Sequence, residues 1–243
     1  TAAKPRRPTT ANAAKPARWW RFASRSCWGN GIGVWGMWRG CLGNRNFQLF
    51  NRDEIMKIMS YIITHDYGFA PNPYGGFLTL ATCKPKIRNS AKIGDILVGI
   101  GSSAGAYKNR LIYVAQVSNV VNMNEYFENP IYQVKKPSDE NISRRRGDNI
   151  YYQENGTWIQ LNNPFHDEGN MSHDLNSTNV LICEDFWYFG SKAPLLPEKF
   201  LGIVKKGPGH KNINDQNFVS SFLDWLSIHE KGIIGKPSSL ENR

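Results

Sequence analysis

The chain contains no run of 18 apolar residues, which excludes an ordinary membrane-spanning helix. It has no Cys-x-x-Cys pair either. Cys27, Cys41, Cys83 and Cys183 are scattered through 243 residues, so neither a zinc ribbon nor a thioredoxin-type motif is written here. That cysteine usage fits a reducing compartment, and the N-terminus shows no positive-then-apolar signal pattern. We therefore expect a cytoplasmic protein with no membrane partner. Sequons at Asn141, Asn155, Asn170 and Asn176 carry no weight without a secretory route. The hydrophobic share of 40% suffices for a buried core and excludes wholesale disorder.

Acidic residues are missing from the first fifty-two positions, which carry ten Lys or Arg. The remaining residues hold twenty bases against twenty acids, so the net charge of +10 belongs to the leading segment alone. Any inference from basicity to nucleic acid applies to that segment, and the rest of the chain needs a local patch or none. The leading segment also lacks Tyr and has five of the eight Trp, whereas all ten Tyr follow Met56. We expect residues 1–55 to be an extension outside the domain, disordered or read from a wrong start, and residues 56–243 to form the domain. An Arg-rich presequence is one alternative. Another is a basic arm whose Trp19, Trp20 and Arg21 stack on bases and touch phosphates.

From Met56 the pattern becomes legible. Strands are predicted over 58–64, 77–82, 95–99, 111–117 and 180–183, and a short helix over 123–128. Asn155-Gly156 between 150–153 and 157–161 signals a hairpin, because both turn positions require positive φ. The charged tract 135–147 reads as an exposed loop. Phe218, Val219, Phe222, Leu223, Trp225 and Leu226 fall on one face of a helix over 217–230, capped by Asn214 or Asp215. These elements describe an α+β domain, mainly antiparallel, with a partly closed β-barrel and the C-terminal helix packed on it through Phe218, Phe222 and Trp225.

Gly99-Ile100-Gly101-Ser102-Ser103-Ala104 follows a strand and matches the dinucleotide-binding fingerprint, but that fingerprint needs a helix next. A strand resumes at Leu111 instead, so a glycine-rich hairpin loop is the better account. His166, Asp167, Glu168, His173 and Asp174 offer five potential ligands at a spacing that matches no established metal motif, and a polar surface loop is expected there. No metal or other cofactor is expected. A nucleophilic pair of Cys83 with His65 or His166 competes with Cys83 as a small core residue. The loop 65–72 is richer. It sets His65, Asp66, Tyr67, Phe69 and Asn72 among Gly and Pro directly after a strand, which is how a rigid scaffold presents a binding loop.

The strings YIITHDYGFAPNPYGGFLTLATCKPKIR, KIGDILVGIGS, RLIYVAQVS, GDNIYY and VLICEDFWYFG carry a resemblance, together with Trp158-Ile159-Gln160, Phe165-His166 and Gly209-His210-Lys211. They resemble the nucleotide-modification-associated domain family, type 2, from about Met59 to Pro237. The resemblance implies phage and bacterial gene neighbourhoods that make or handle modified DNA bases. By analogy with PUA and ASCH barrels, it also implies a base or nucleotide held in a cleft between strands. The expected nucleotide-binding residues are His65, Asp66, Tyr67, Phe69, Asn72, Cys83, Lys84, Gly101, Ser102, Phe165 and His166, brought together from loops at strand ends. The expected partner is a nucleotide or nucleic acid with a modified base. Two functions remain: a module that binds the base by stacking, or an enzyme acting on a modified nucleotide with His65 or His166 as acid/base and Asp66 as orienter.

Overall fold

Residues Ile58–Ile63 (β1) are buried except for half-buried Ile62, and every residue of Ile96–Gly101 (β3) is buried. Strands covered on both faces read as continuous apolar runs, and these two lie inside a sheet. The computed structural model describes residues 56–103 and 105–239. The extension expected over 1–55 lies outside the described residues.

Between β1 and β3 come Leu78–Leu80 (β2) and a six-residue helix, Pro85–Ser90 (α1). This excursion allows β1 and β3 to pair in parallel, from Ile58↔Ile96 to Ile63↔Gly101. Leu111–Gln116 (β4) returns antiparallel to β3. Asn119–Asn122 (β5) and Met123–Glu128 (α2) follow, the helix opening on the Asn122 side chain, which accepts from Asn124 N. A 3-10 turn spans Pro130–Lys135, and Ile142–Arg145 (α3) precedes the hairpin of Tyr151–Glu154 (β6) and Thr157–Gln160 (β7). Asn155 and Gly156 take φ of 50° and 79° at its turn. Met171–Asp174 (α4), Asn179–Cys183 (β8), Phe186–Tyr188 (β9), His210–Ile213 (β10), Gln216–Leu226 (α5) and Gly232–Ile233 (β11) complete the order.

The described strands form three separate sheets. One runs β10-β1-β3-β4-β9-β11, one β2-β8-β5, and one is the β6-β7 hairpin. The α+β class holds, but the partly closed barrel does not. A barrel needs one unbroken ladder of neighbours. Here β2 pairs with β8 instead of β1, which starts a second sheet, and β10 and β11 remain as open edges of the first. The excursion through β2 and α1 carries β2 out of the first sheet, which is why the ladder does not continue around.

The β2-β8-β5 sheet separates two apolar cores, and its alternation serves both. Leu78, Leu80, Leu181 and Cys183 join the larger core with β1, β3 and β4. Val121, Val180 and Ile182 join the smaller one with Phe69, Tyr126, Tyr132, Ile150 and Tyr151. α5 buries Val219, Phe222 and Leu226 in the larger core, with Phe218 and Trp225 half-buried beside it. Phe200 is the hub, meeting Phe218, Phe222 and Trp225 at 5.7, 5.4 and 5.6 Å between ring centroids. Asp215 caps the helix by accepting from Asn217 N and Phe218 N.

Candidate functional site

The segment after β1 is clamped at two points. Asp66 is 3% exposed. Its Oδ1 accepts from the Tyr188 hydroxyl at 2.5 Å and from Gly68 N, and its Oδ2 accepts from Ser238 N at 2.9 Å. Asn72 is the second clamp. Its Nδ2 donates to Arg146 O at 2.6 Å, and its Oδ1 accepts from Tyr74 N and Lys135 Nζ. Lys135, also buried, donates further to Asn72 O and Phe77 O. Burial pushes its ammonium down to about 7, opposed by the charge of Asp148. Its three acceptors use all three protons of the charged form.

On either side of Asp66 two side chains turn outward. His65 is exposed and Tyr67 half-buried. Their rings stack at 5.8 Å with an interplanar angle of 3°, and Phe165 leans on Tyr67 at 5.9 Å. The buried Arg146 guanidinium lies 5.6 Å from the Phe165 ring centroid and donates to the Tyr74 hydroxyl. Phe69 instead turns inward to the smaller core and meets the His166 ring at 5.2 Å.

Behind this strip lies a polar cluster. His166 Nε2 is 2.7 Å from Asp174 Oδ2, which also accepts from the Tyr151 hydroxyl, while Asp174 Oδ1 accepts from Cys83 N at 2.8 Å. Of the five potential ligands in the 166–174 run, His166 and Asp174 are buried, and Asp167, Glu168 and His173 are exposed. Ligand atoms of Cys83, His166 and Asp174 lie within 4.8 Å of one another, so these residues could hold a metal ion. Against a cation stands Arg88, fully buried and donating to Asp174 O at 2.6 Å. Burial, followed by the Asp174 charge, raises the Cys83 thiol to about 11 and keeps it protonated at neutral pH.

Cys83 and Lys84 both sit in the left-handed region, with φ of 55° and 42°, and Pro85 follows. Residues before proline avoid helical backbone, and each such outlier costs on the order of 1–3 kcal/mol. Arg88 Nε bonds Cys83 O at 2.8 Å, and the Ile87 and Arg88 amides bond Lys84 O. The turn places Lys84 Nζ 4.9 Å from the centroid of the Tyr61 ring, on the wall of an open cleft.

That cleft encloses about 820 Å³. One wall is the C-terminal end of the parallel pair, with Ile62 and Thr64 from β1 and its continuation and Gly101 from β3. Lys84, Lys108, Lys205 and Lys206 line it. No Asp or Glu is among its described lining residues. The glycines of the 99–104 stretch are explained by packing. A Cβ at Gly99 would fall 2.4 Å from Ile63 and Tyr113 side-chain atoms, and one at Gly101 2.2 Å from Tyr107 O.

The eleven residues expected at the site thus fall into four environments. Lys84 and Gly101 line the cleft, and half-buried Ser102 follows Gly101. His65, Tyr67 and Phe165 form the aromatic strip. Cys83, Phe69 and His166 meet around or beside Asp174, and Asp66 and Asn72 are clamps. Chain neighbours, Thr64–His65 and Cys83–Lys84, link the cleft lining to the strip and the cluster. Sequence reasoning missed Arg88, Arg146, Lys108, Lys205 and Lys206. The basic 205–211 stretch with its glycines was the available signal for the last two.

Fold and site together define an α+β domain that carries an aromatic strip and a lysine-lined cleft. The family model for nucleotide modification associated domain 2 matches residues 55–243, most of the chain, and the protein belongs to that family. The family's name links it to nucleotide modification. No curated protein and no solved structure matches it. No described helix is long and apolar enough to cross a membrane.

Proposed function

We propose that the domain binds a modified base or nucleotide by laying the base on the face formed by His65 and Tyr67. The observation that carries this reading is the near-parallel stack of those rings, continued by Phe165, with Asp66 anchoring the backbone between His65 and Tyr67 and Asn72 anchoring it further on. A fixed aromatic face gives stacking energy without first ordering a loop. Arg146, placed over Phe165, adds a cation beside the strip. The ligand class follows from the family's link to nucleotide modification.

The second reading is an enzyme acting on a modified nucleotide. Its specific support is the His166–Asp174 pair near the Cys83 thiol. In that scheme Asp174, not Asp66, orients the imidazole, because both Asp66 oxygens are taken by Tyr188, Gly68 and Ser238.

A panel of normal and modified nucleotides, followed by calorimetry and by chromatography of the recovered nucleotide, tests both. Binding is expected, and Tyr67→Ala should weaken it by about 1–3 kcal/mol while moving stability less. Binding unchanged in Tyr67→Ala overturns the stacking reading. A chemically altered nucleotide, lost in His166→Ala, favours the enzyme.

A further inference from the structure

Residues 53–243 carry equal numbers of acidic and basic side chains, yet the cleft at the C-terminal end of the parallel pair has four lysines and no acid in its described lining. Composition does not produce that segregation. The cleft continues into a second depression of about 480 Å³, which shares Lys205 and Lys206 and adds His210 and Lys211. Lys84, Lys108, Lys205, Lys206 and Lys211 form no ion pair with a described residue. By contrast, Lys57 and Lys231 are matched to Asp95 and Asp185. Of the cleft lysines, Lys205 joins Lys57 and Lys86, which lie outside the cleft lining, in adding to burial to lower the pKa of His210. One rim is the Gly207-Pro208-Gly209 turn, where a Cβ on either glycine would meet nothing within 4 Å. The rim is therefore open on its outer side.

A free nucleotide presents its phosphates at one point. Cations spread along two adjoining depressions match a chain of phosphates. Thr64 in the lining of the larger depression is the chain neighbour of His65 in the aromatic strip. An electrostatic groove that tracks the backbone next to rings that stack on bases is the arrangement used to hold single strands. Resting on the base-binding reading above, we propose that the cleft seats the phosphate backbone of a single-stranded nucleic acid, so that the recognised base lies within a strand. The Lys84–Lys108 end holds the phosphate nearest the stacked base, and the Lys205–Lys211 end holds those further along.

The test uses the full chain, a fluorescent thymidine strand of about 12 nucleotides and dTMP, with affinity followed by anisotropy and competition over a range of KCl. Because residues 1–52 contribute ten bases of their own, the difference between variants is the readout. K205A/K206A should lower affinity for the strand about tenfold and flatten its log–log salt slope by about 1.4, which is about 0.7 for each lost contact. Its affinity for dTMP should be unchanged. An unchanged slope and strand affinity overturn the proposal. So does an equal loss for dTMP, which would make the cleft a pocket for one nucleotide's phosphate. Tyr67→Ala should weaken both probes. If it weakens neither while K205A/K206A acts as expected, the stacking reading fails and the backbone trough stands.

Discussion

The Tyr188 hydroxyl donates to Asp66 Oδ1 across 2.5 Å, joining the segment after β1 to the end of β9. The same carboxylate takes Ser238 N, and Asp66 N and O bond the Ser239 side chain and amide. One buried acid therefore fastens β1, β9 and the end of the described chain, and burial with the Asp66 charge holds the Tyr188 phenol protonated well above its ordinary range.

Removing the donor should be costly. A hydrogen bond to a charged group is worth about 1.5–3 kcal/mol, so Tyr188→Phe should lower the urea unfolding free energy by about 2 kcal/mol. Tyr188→Phe with Asp66→Asn should cost less than the sum of the single changes. Unchanged stability in Tyr188→Phe would show that the clamp does not hold the fold.

Arg88 offers a second stability test. Its Nε, η1 and η2 donors reach Cys83 O, Ser177 O, Asn179 O and Asp174 O at 2.6–2.8 Å. Lysine has fewer donors and no planar fork. Arg88→Lys should leave a buried carbonyl unsatisfied, costing about 1–3 kcal/mol in thermal or urea unfolding.

Lys135 gives a pH prediction. Its folded value of about 7 lies below the ordinary 10.5. Between those values the unfolded chain keeps a proton that the folded chain sheds, so this group makes stability rise with pH across the window and adds no slope below it. Urea midpoints at pH 7 and 9 should increase, by at most about 1.4 kcal/mol per pH unit. Lys135→Met should abolish that rise.

Cys83 is expected to resist alkylation. With its thiol raised to about 11, the Cys83 peptide should stay unmodified by iodoacetamide at pH 8 in the folded protein and react once urea is added. Rapid reaction of the folded protein would favour the nucleophile of the second functional reading.

What was legible in the sequence had local causes. The 123–128 helix, the Asn155-Gly156 turn and the Asp215 cap depend on neighbours within a few residues, and they appear where expected. β9, β10 and β11 are two to four residues long and depend on partners far along the chain, so no periodicity reveals them. Similarly, nothing local says that Asp174 turns inward while His173 stays outside. The lysine cleft was hidden twice. Lys84 and Lys205 are more than a hundred residues apart, and the balanced charge of residues 53–243 conceals their meeting. Gly99 and Gly101 were visible, but their cause, the crowding by Tyr113 and Tyr107, was not.

β10 is the outer strand of its sheet, with β1 as its one ladder neighbour among the described strands, and the residues just before it form one wall of the cleft. The facing wall stands on β1 and β3, inside the sheet. Edge segments open in excursions far cheaper than global unfolding, whereas central strands exchange their amide hydrogens only with it. The two walls therefore run on different clocks. A molecule bridging them ties the fast wall to the slow one, and its occupancy is recorded in deuterium, as slowed uptake over His210–Ile213 with none of the change in Ile96–Gly101.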